Sequence, residues 1–153
     1  QTCALPIYVA GGPRRLERLH VALRDGDAAV VEEELERILL DCVAPVDLVN
    51  ENSYHMLVMG LLFGIPGYAD PVSNGRGGMG YYDVRLNPCE VAAPALTVEF
   101  KVASGEASLR QAAEVGLRQI AEKAYDHDAS GARIRWGIAF WKQSVAVVCE
   151  QVG

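Results

Sequence analysis

The sequence predicts an α/β fold: a mixed central β-sheet flanked by helices and led by a helical hairpin. Three observations predict it. Apolar residues recur every three to four positions in residues 14–24, 31–39 and 106–125, the period of amphipathic helices. They alternate in residues 95–102 and 134–140, the period of strands. The order then runs helices, three strands, one long helix, two strands, which lays helices on a mixed sheet. With 153 residues, half of them hydrophobic, the chain can bury one real core and is short for two domains.

In residues 14–24, Leu16, Leu19, His20 and Leu23 share a helix face. Asp25-Gly26-Asp27 breaks that helix, and Asp27 can cap the next, whose stripe is Val31, Leu35, Ile38 and Leu39. Glu32, Glu33, Glu34 and Glu36 fall largely outside the stripe and read as a solvated face, with Glu33 and Arg37 at i,i+4 spacing for a modest ion pair. Pro45 ends this antiparallel hairpin. Asn50 stands where a cap belongs, ahead of a helix over residues 51–63. Its second half, residues 56–63, is apolar on every side and is expected deep in the core. Gly64 and Pro66-Gly67 stop it. Residues 81–86 and 95–102 read as strands joined by a proline-bounded loop, and residues 68–72 as a further short strand. The long helix over 106–125 presents Leu109, Ala112, Ala113, Leu117, Ile120 and Ala124. Ile134, Trp136, Ile138 and Phe140 alternate in the next strand, and residues 145–149 return after a tight turn.

Composition narrows the function. Fourteen basic against twenty acidic residues give a net charge of −6, which does not suit tight non-specific binding of nucleic acid but leaves room for a local cleft. The longest apolar run, residues 56–63, is broken by Gly60 and falls far short of the ~20 residues of a membrane span. Cys3, Cys42, Cys89 and Cys149 have neither metal-knuckle nor redox-motif spacing and read as buried free thiols of a cytoplasmic protein. No basic start precedes the amino-terminal apolar stretch, so it does not read as a secretion signal. Residues 1–7, QTCALPI, resemble a translated sequencing adaptor, and no initiator Met is present. They are expected to be a scar outside the fold, with residues 8–153 forming one domain of a longer protein.

The chemistry concentrates in Leu96-Thr97-Val98-Glu99-Phe100-Lys101-Val102. Alternation puts Leu96, Val98, Phe100 and Val102 on one face and Thr97, Glu99 and Lys101 on the other. If both faces are covered, Glu99 and Lys101 are charges in a costly place; if one is exposed, they are an ordinary surface ion pair. Asp83, in the preceding strand, can reach the same end of the sheet as Glu99. Two carboxylates sharing a site repel, and a hard divalent cation such as Mg²⁺, which keeps waters and substrate phosphate in its remaining positions, supplies the reason for them to meet. Lys101 would reach the same water or phosphate. Two acids and a base around such a cation suit phosphodiester hydrolysis.

Asp83…Glu99-Phe100-Lys101 resembles the signature of the PD-(D/E)xK nuclease superfamily, and more closely the bacterial nuclease-like domains found C-terminal to AAA-ATPase-like domains. The resemblance extends over Asn50-Glu51-Asn52-Ser53-Tyr54-His55, Ser73-Asn74 with the glycines after it, Tyr82-Asp83-Val84, Gln119-Ile120 with Tyr125, and Gly137-Ile138-Ala139-Phe140. It implies a restriction-endonuclease-like core acting on DNA, ahead of RNA, with Mg²⁺ or Mn²⁺. Asp83 and Glu99 would be metal ligands, with the Phe100 carbonyl as a third. Lys101 would position water or stabilise the pentavalent phosphorus. Glu51 would complete the acidic cluster, its other reading being a first-turn acid that complements a helix dipole. Gln119 and Tyr125, both on the long helix, would orient phosphate or water, with Ala112 and Gly116 letting that helix approach the sheet. Asn74 and Arg76 would contact substrate. The proline that often precedes the first acid is Tyr82 here. Arg76 and Tyr81 stand where related domains often carry an acid and an arginine. The other reading, from a different class, is a catalytically silent module that binds nucleic acid or regulates an attached ATPase-like domain; the intact Asp83, Glu99 and Lys101 argue against it.

Three features invite other readings. Gly75-Arg76-Gly77-Gly78-Met79-Gly80 looks like a phosphate-cradling loop, but a strand follows it, so the dinucleotide reading fails and a flexible turn near the site is expected. His55 lies four residues after Glu51, yet no second ligand has zinc spacing, which leaves a hydrogen-bonded histidine supporting Glu51. Arg133 and Arg135 share a strand face and read either as part of a nucleic-acid groove or as a solvated edge. His20 and His127 belong to no constellation.

Overall fold

In the computed structural model, which describes residues 12–153, the helical hairpin consists of α1 (Gly12–Asp25) and α2 (Ala28–Cys42). The Asp27 carboxylate accepts the Val30 N–H at the start of α2. Gly26, at φ 76°, makes the reversal that a Cβ would strain. A short 3₁₀ turn (Pro45–Asp47) leads to α3 (Glu51–Leu62), where the Asn50 side chain accepts the Ser53 N–H at 3.2 Å. Among the described residues five strands then form one sheet: β1 (Val72–Gly77), β2 (Gly80–Leu86), β3 (Ala95–Val102), and, after α4 (Leu109–Glu122), β4 (Arg133–Trp141) and β5 (Ser144–Val152). Their spatial order is β1-β2-β3-β4-β5, with β3 and β4 parallel and the other neighbours antiparallel. A parallel pair cannot be joined by a hairpin, and α4 supplies the crossover.

The two faces of the sheet are covered differently. Val84, Leu86, Leu96, Val98, Phe100, Trp136, Ile138 and Phe140 pack against α1, α2 and α3 in the main core. On the opposite face α4 lays Leu109 and Ala113 on Ala103, Ala139 and Ala146, while Ile120 and Tyr125 meet Tyr82. Small residues set how closely α4 sits. A Cβ on Gly116 would stand 3.2 Å from the Glu99 carbonyl, and one on Gly137 would run into the backbone of Ala113 and Leu117. Strand β3 is therefore central and covered on both faces, the arrangement that makes Glu99 costly.

Several sequence expectations need correction. The acidic run of α2 is not a solvated face: Glu34 is 2% exposed and paired with Arg18, and Glu32 accepts the Val147 N–H of β5 at 2.8 Å. The Glu33–Arg37 pair does form. Helix α3 buries only Tyr54, His55, Val58 and Leu62, leaving Met56 61% and Phe63 47% exposed, because the sheet covers one side of it. The first strand begins at Val72 rather than Tyr68, which makes only an isolated bridge to Pro88. The long helix ends at Glu122, so Tyr125 lies in the turn that follows. Cys42 and Cys89 are free but exposed. Residues 1–7, with Cys3 and the scar expectation, lie outside the described residues. No helix among the described residues is long and apolar enough to cross a membrane.

Candidate active site

Strands β2 and β3 pair at Leu86↔Leu96, Arg85↔Thr97 and Val84↔Val98, and the ladder stops there. At the next residue, Asp83, the side-chain alternation of β2 breaks: Tyr82 and Arg85 both face α4, whereas Val84 and Leu86 face the helical layer. Freed from the ladder, Asp83 substitutes its carboxylate for a backbone partner, and its Oδ2 accepts the Phe100 N–H at 2.7 Å. Asn74, at φ 50°, sits across the β1–β2 ladder from Asp83, between the pairs Ser73↔Val84 and Gly75↔Tyr82.

Glu99 lies under α4 and is 3% exposed. Its Oε1 accepts from Lys101 Nζ at 3.0 Å and from Gln119 Nε2, which also donates to the Tyr125 hydroxyl at 3.1 Å. Its Oε2 is buried with no hydrogen-bond partner. Burial first, then the charge of Asp83, push the Glu99 carboxyl up to about 7, against the pull of Lys101 and, more weakly, of the Asp83 backbone N–H. A buried acceptor left unsatisfied beside a second carboxylate is a costly arrangement. Lys101 stays partly open, with a quarter of its side chain exposed.

This donor set fits a hard divalent cation. Glu99 Oε2 is an oxygen in want of a partner, and the Asp83 carboxylate is close enough to perturb it. Phe100, expected to offer its carbonyl, meets Asp83 through its N–H. Among the described residues no three His, Cys, Asp or Glu side chains form a metal-holding group. Glu51 is exposed in the first turn of α3, and the charges acting on Glu99 are those of Asp83 and Lys101. The structure thus gathers Asp83, Glu99, Lys101, Gln119 and Tyr125; the Asn74 amide donates to Ser73 Oγ at 3.1 Å, and Glu51 is not joined to the carboxylate pair.

The glycine-rich stretch is the turn end of the β1–β2 hairpin, with Gly78-Met79 as the turn between the strands. Its glycines make room: a Cβ on Gly75 would strike the Tyr82 ring, and on Gly77 or Gly78 the backbone carbonyls of the turn after α4. Arg76 is exposed opposite Tyr81, on the hairpin face turned away from α4. His55 Nε2 is hydrogen-bonded to Ser73 Oγ at 2.8 Å and its ring meets Phe100 edge-on, so it steadies β1 rather than Glu51. Arg135 is bonded to Asp126 at 2.8 Å and to Glu150 at 3.0 Å on a central strand, which rules out a solvated edge. Nothing in the sequence singles out Arg85. It is 4% exposed, stacks on Tyr82, and bonds Asp128 and the Tyr125 carbonyl. The acids at 126 and 128, just after the long helix, were the only signal that arginines would be drawn inward there.

The family model described as the PD-(D/E)XK nuclease superfamily matches residues 49–150, which span α3, the whole sheet apart from the last residues of β5, and α4. No curated protein matches the chain.

Proposed function

The chain belongs to the PD-(D/E)XK nuclease superfamily, and on that premise we propose that it hydrolyses phosphodiester bonds of nucleic acid at Asp83, Glu99 and Lys101, using Mg²⁺ or Mn²⁺. The observation that carries this reading is the buried Glu99 carboxylate, with Oε2 unpartnered, beside Asp83 and Lys101. Asp83 and Glu99 hold the cation, which when bound supplies an activated water and stabilises the leaving oxygen. The Phe100 N–H fixes which Asp83 oxygen is turned inward. Gln119 and Tyr125 fix Glu99 from the α4 side. Lys101, a quarter exposed beside Glu99, would turn its ammonium to the attacking water or to the charge building on phosphorus. Asn74 and Arg76 meet substrate from exposed positions on the hairpin, and Glu51, outside the carboxylate pair, meets it from the first turn of α3.

DNA is the substrate placed first, ahead of RNA. Residues 8–153 act as one domain, carried on the motif resemblance as the nuclease-like end of a bacterial protein with an AAA-ATPase-like domain. The exposed free thiols of Cys42 and Cys89 support a reducing cytoplasm. The test is incubation with plasmid, single-stranded DNA and RNA, each in Mg²⁺, Mn²⁺ or EDTA. Cleavage of DNA with either metal and none with EDTA is expected. No cleavage of any substrate under any metal would leave the silent module as the better reading.

A further inference from the structure

Arg85 is a buried cation with a costly place and an unusual set of partners. It sits on β2 two residues from Asp83, its guanidinium 4.3 Å from the centre of the Tyr82 ring. One arm bonds Asp128 at 2.7 Å and the other bonds the backbone carbonyl of Tyr125. An apolar side chain of the same volume would avoid the desolvation cost. What it could not do is grip a carbonyl and a carboxylate in one planar fork.

The gripped turn leads to the site. The Tyr125 carbonyl is held by Arg85, and its hydroxyl takes one N–H of Gln119 while the same nitrogen donates to Glu99 Oε1. With Oε1 so engaged, Oε2 is the oxygen left without a partner. We infer that Arg85 is a positioning residue for Glu99: by holding the turn after α4 it keeps Gln119 on Oε1 and so reserves Oε2 for the cation. This rests on the reading that Asp83 and Glu99 hold a divalent ion. Arg85 and Arg135, on either side of Thr97 in the same row across β2, β3 and β4, bond Asp128 and Asp126 of that turn.

The test uses the full chain and needs no cleavage. The side-chain amide of Gln119 is followed by NMR without metal, and Mn²⁺ affinity by titration. In the parent, the Gln119 amide protons resonate away from the free-amide position and exchange slowly. Arg85→Met should move them to that position and weaken Mn²⁺ about tenfold, the usual effect of losing a group that orients a ligand, while cooperative unfolding is retained. A merely structural arginine would lower the melting temperature and leave the Gln119 amide where it was, and that result overturns the inference. If Arg85→Met does not fold, Arg85→Lys decides. An ammonium reaches one acceptor and takes the Asp128 carboxylate, so Gln119 should again be released; an unmoved amide in folded Arg85→Lys overturns the inference equally. A parent that cleaves nothing but whose Gln119 answers to Arg85 sinks the nuclease reading and keeps the relay. A parent that cleaves with a Gln119 indifferent to Arg85 does the reverse.

Discussion

The Phe100 N–H donates to Asp83 Oδ2 at 2.7 Å, at the point where β2 has stopped pairing with β3. One hydrogen bond thereby does two things. It satisfies a backbone donor that the broken ladder would leave bare, and it places a carboxylate next to the residue that follows Glu99.

Removing the Asp83 charge should therefore act on Glu99 before it acts on anything else. In Asp83→Asn the Glu99 carboxyl should titrate lower than about 7, because the Asp83 charge is one of the causes that raise it. Stability without metal should hold or rise as the repulsion goes, and cleavage should fall by orders of magnitude. Carboxyl NMR and a melting curve check the first two; full activity in the variant would remove Asp83 from the site.

Stability without metal should fall as pH rises from about 5 to about 7. Glu99 has a folded pKa of about 7 against an ordinary 4.5, so across that interval the native state holds a proton that the unfolded chain has released. The contribution is full below the ordinary value and lost as pH passes the folded one, on the order of 3 kcal/mol in all. A divalent cation competes with that proton, so Mg²⁺ should raise the melting temperature more at pH 8 than at pH 6. Equal stabilisation at both would show that Glu99 is not the ligand.

Lys101→Met should abolish cleavage without removing a metal ligand. Lys101 also pulls the Glu99 pKa down, so the variant should bind Mn²⁺ more weakly than the parent near pH 7 and about equally above pH 9. A loss of affinity that persists at high pH would give Lys101 a different part.

Gly137→Ala tests the close seat of α4. The new methyl meets backbone atoms of Ala113 and Leu117, which cannot swing aside as a side-chain tip would. A loss of about 1–3 kcal/mol is expected in chemical denaturation, together with weaker metal binding as α4 carries Gln119 away from Glu99. A neutral substitution would mean that α4 is free to slide.

Much of this was legible in the sequence where a local rule sufficed. Asp27 and Asn50 cap their helices because their side chains reach their own backbone, and β3 alternates because a strand must. The pairing of Asp83 with Glu99-Phe100-Lys101 was visible as residue types in adjacent strands. What failed were inferences about which side of an element meets water. Glu34 reads as solvated until Arg18 is brought to it from another helix, and residues 56–63 read as core although only one side of α3 faces the sheet. The glycines of β1 read as part of a turn because the bulk they accommodate, Tyr82 and the turn after α4, is contributed from elsewhere. Arg85 was invisible for the same reason, since its partners are a turn carbonyl and an acid some forty residues on.

The most direct measurement is the position of Mn²⁺ by anomalous diffraction in crystals grown or soaked above pH 8, where Glu99 is ionised. A peak within coordination distance of Glu99 Oε2 and an Asp83 carboxylate oxygen, with Lys101 Nζ turned away from Glu99, is the predicted result. Saturating Mn²⁺ with no peak at that pair, or with Glu99 Oε2 still bare, would contradict it.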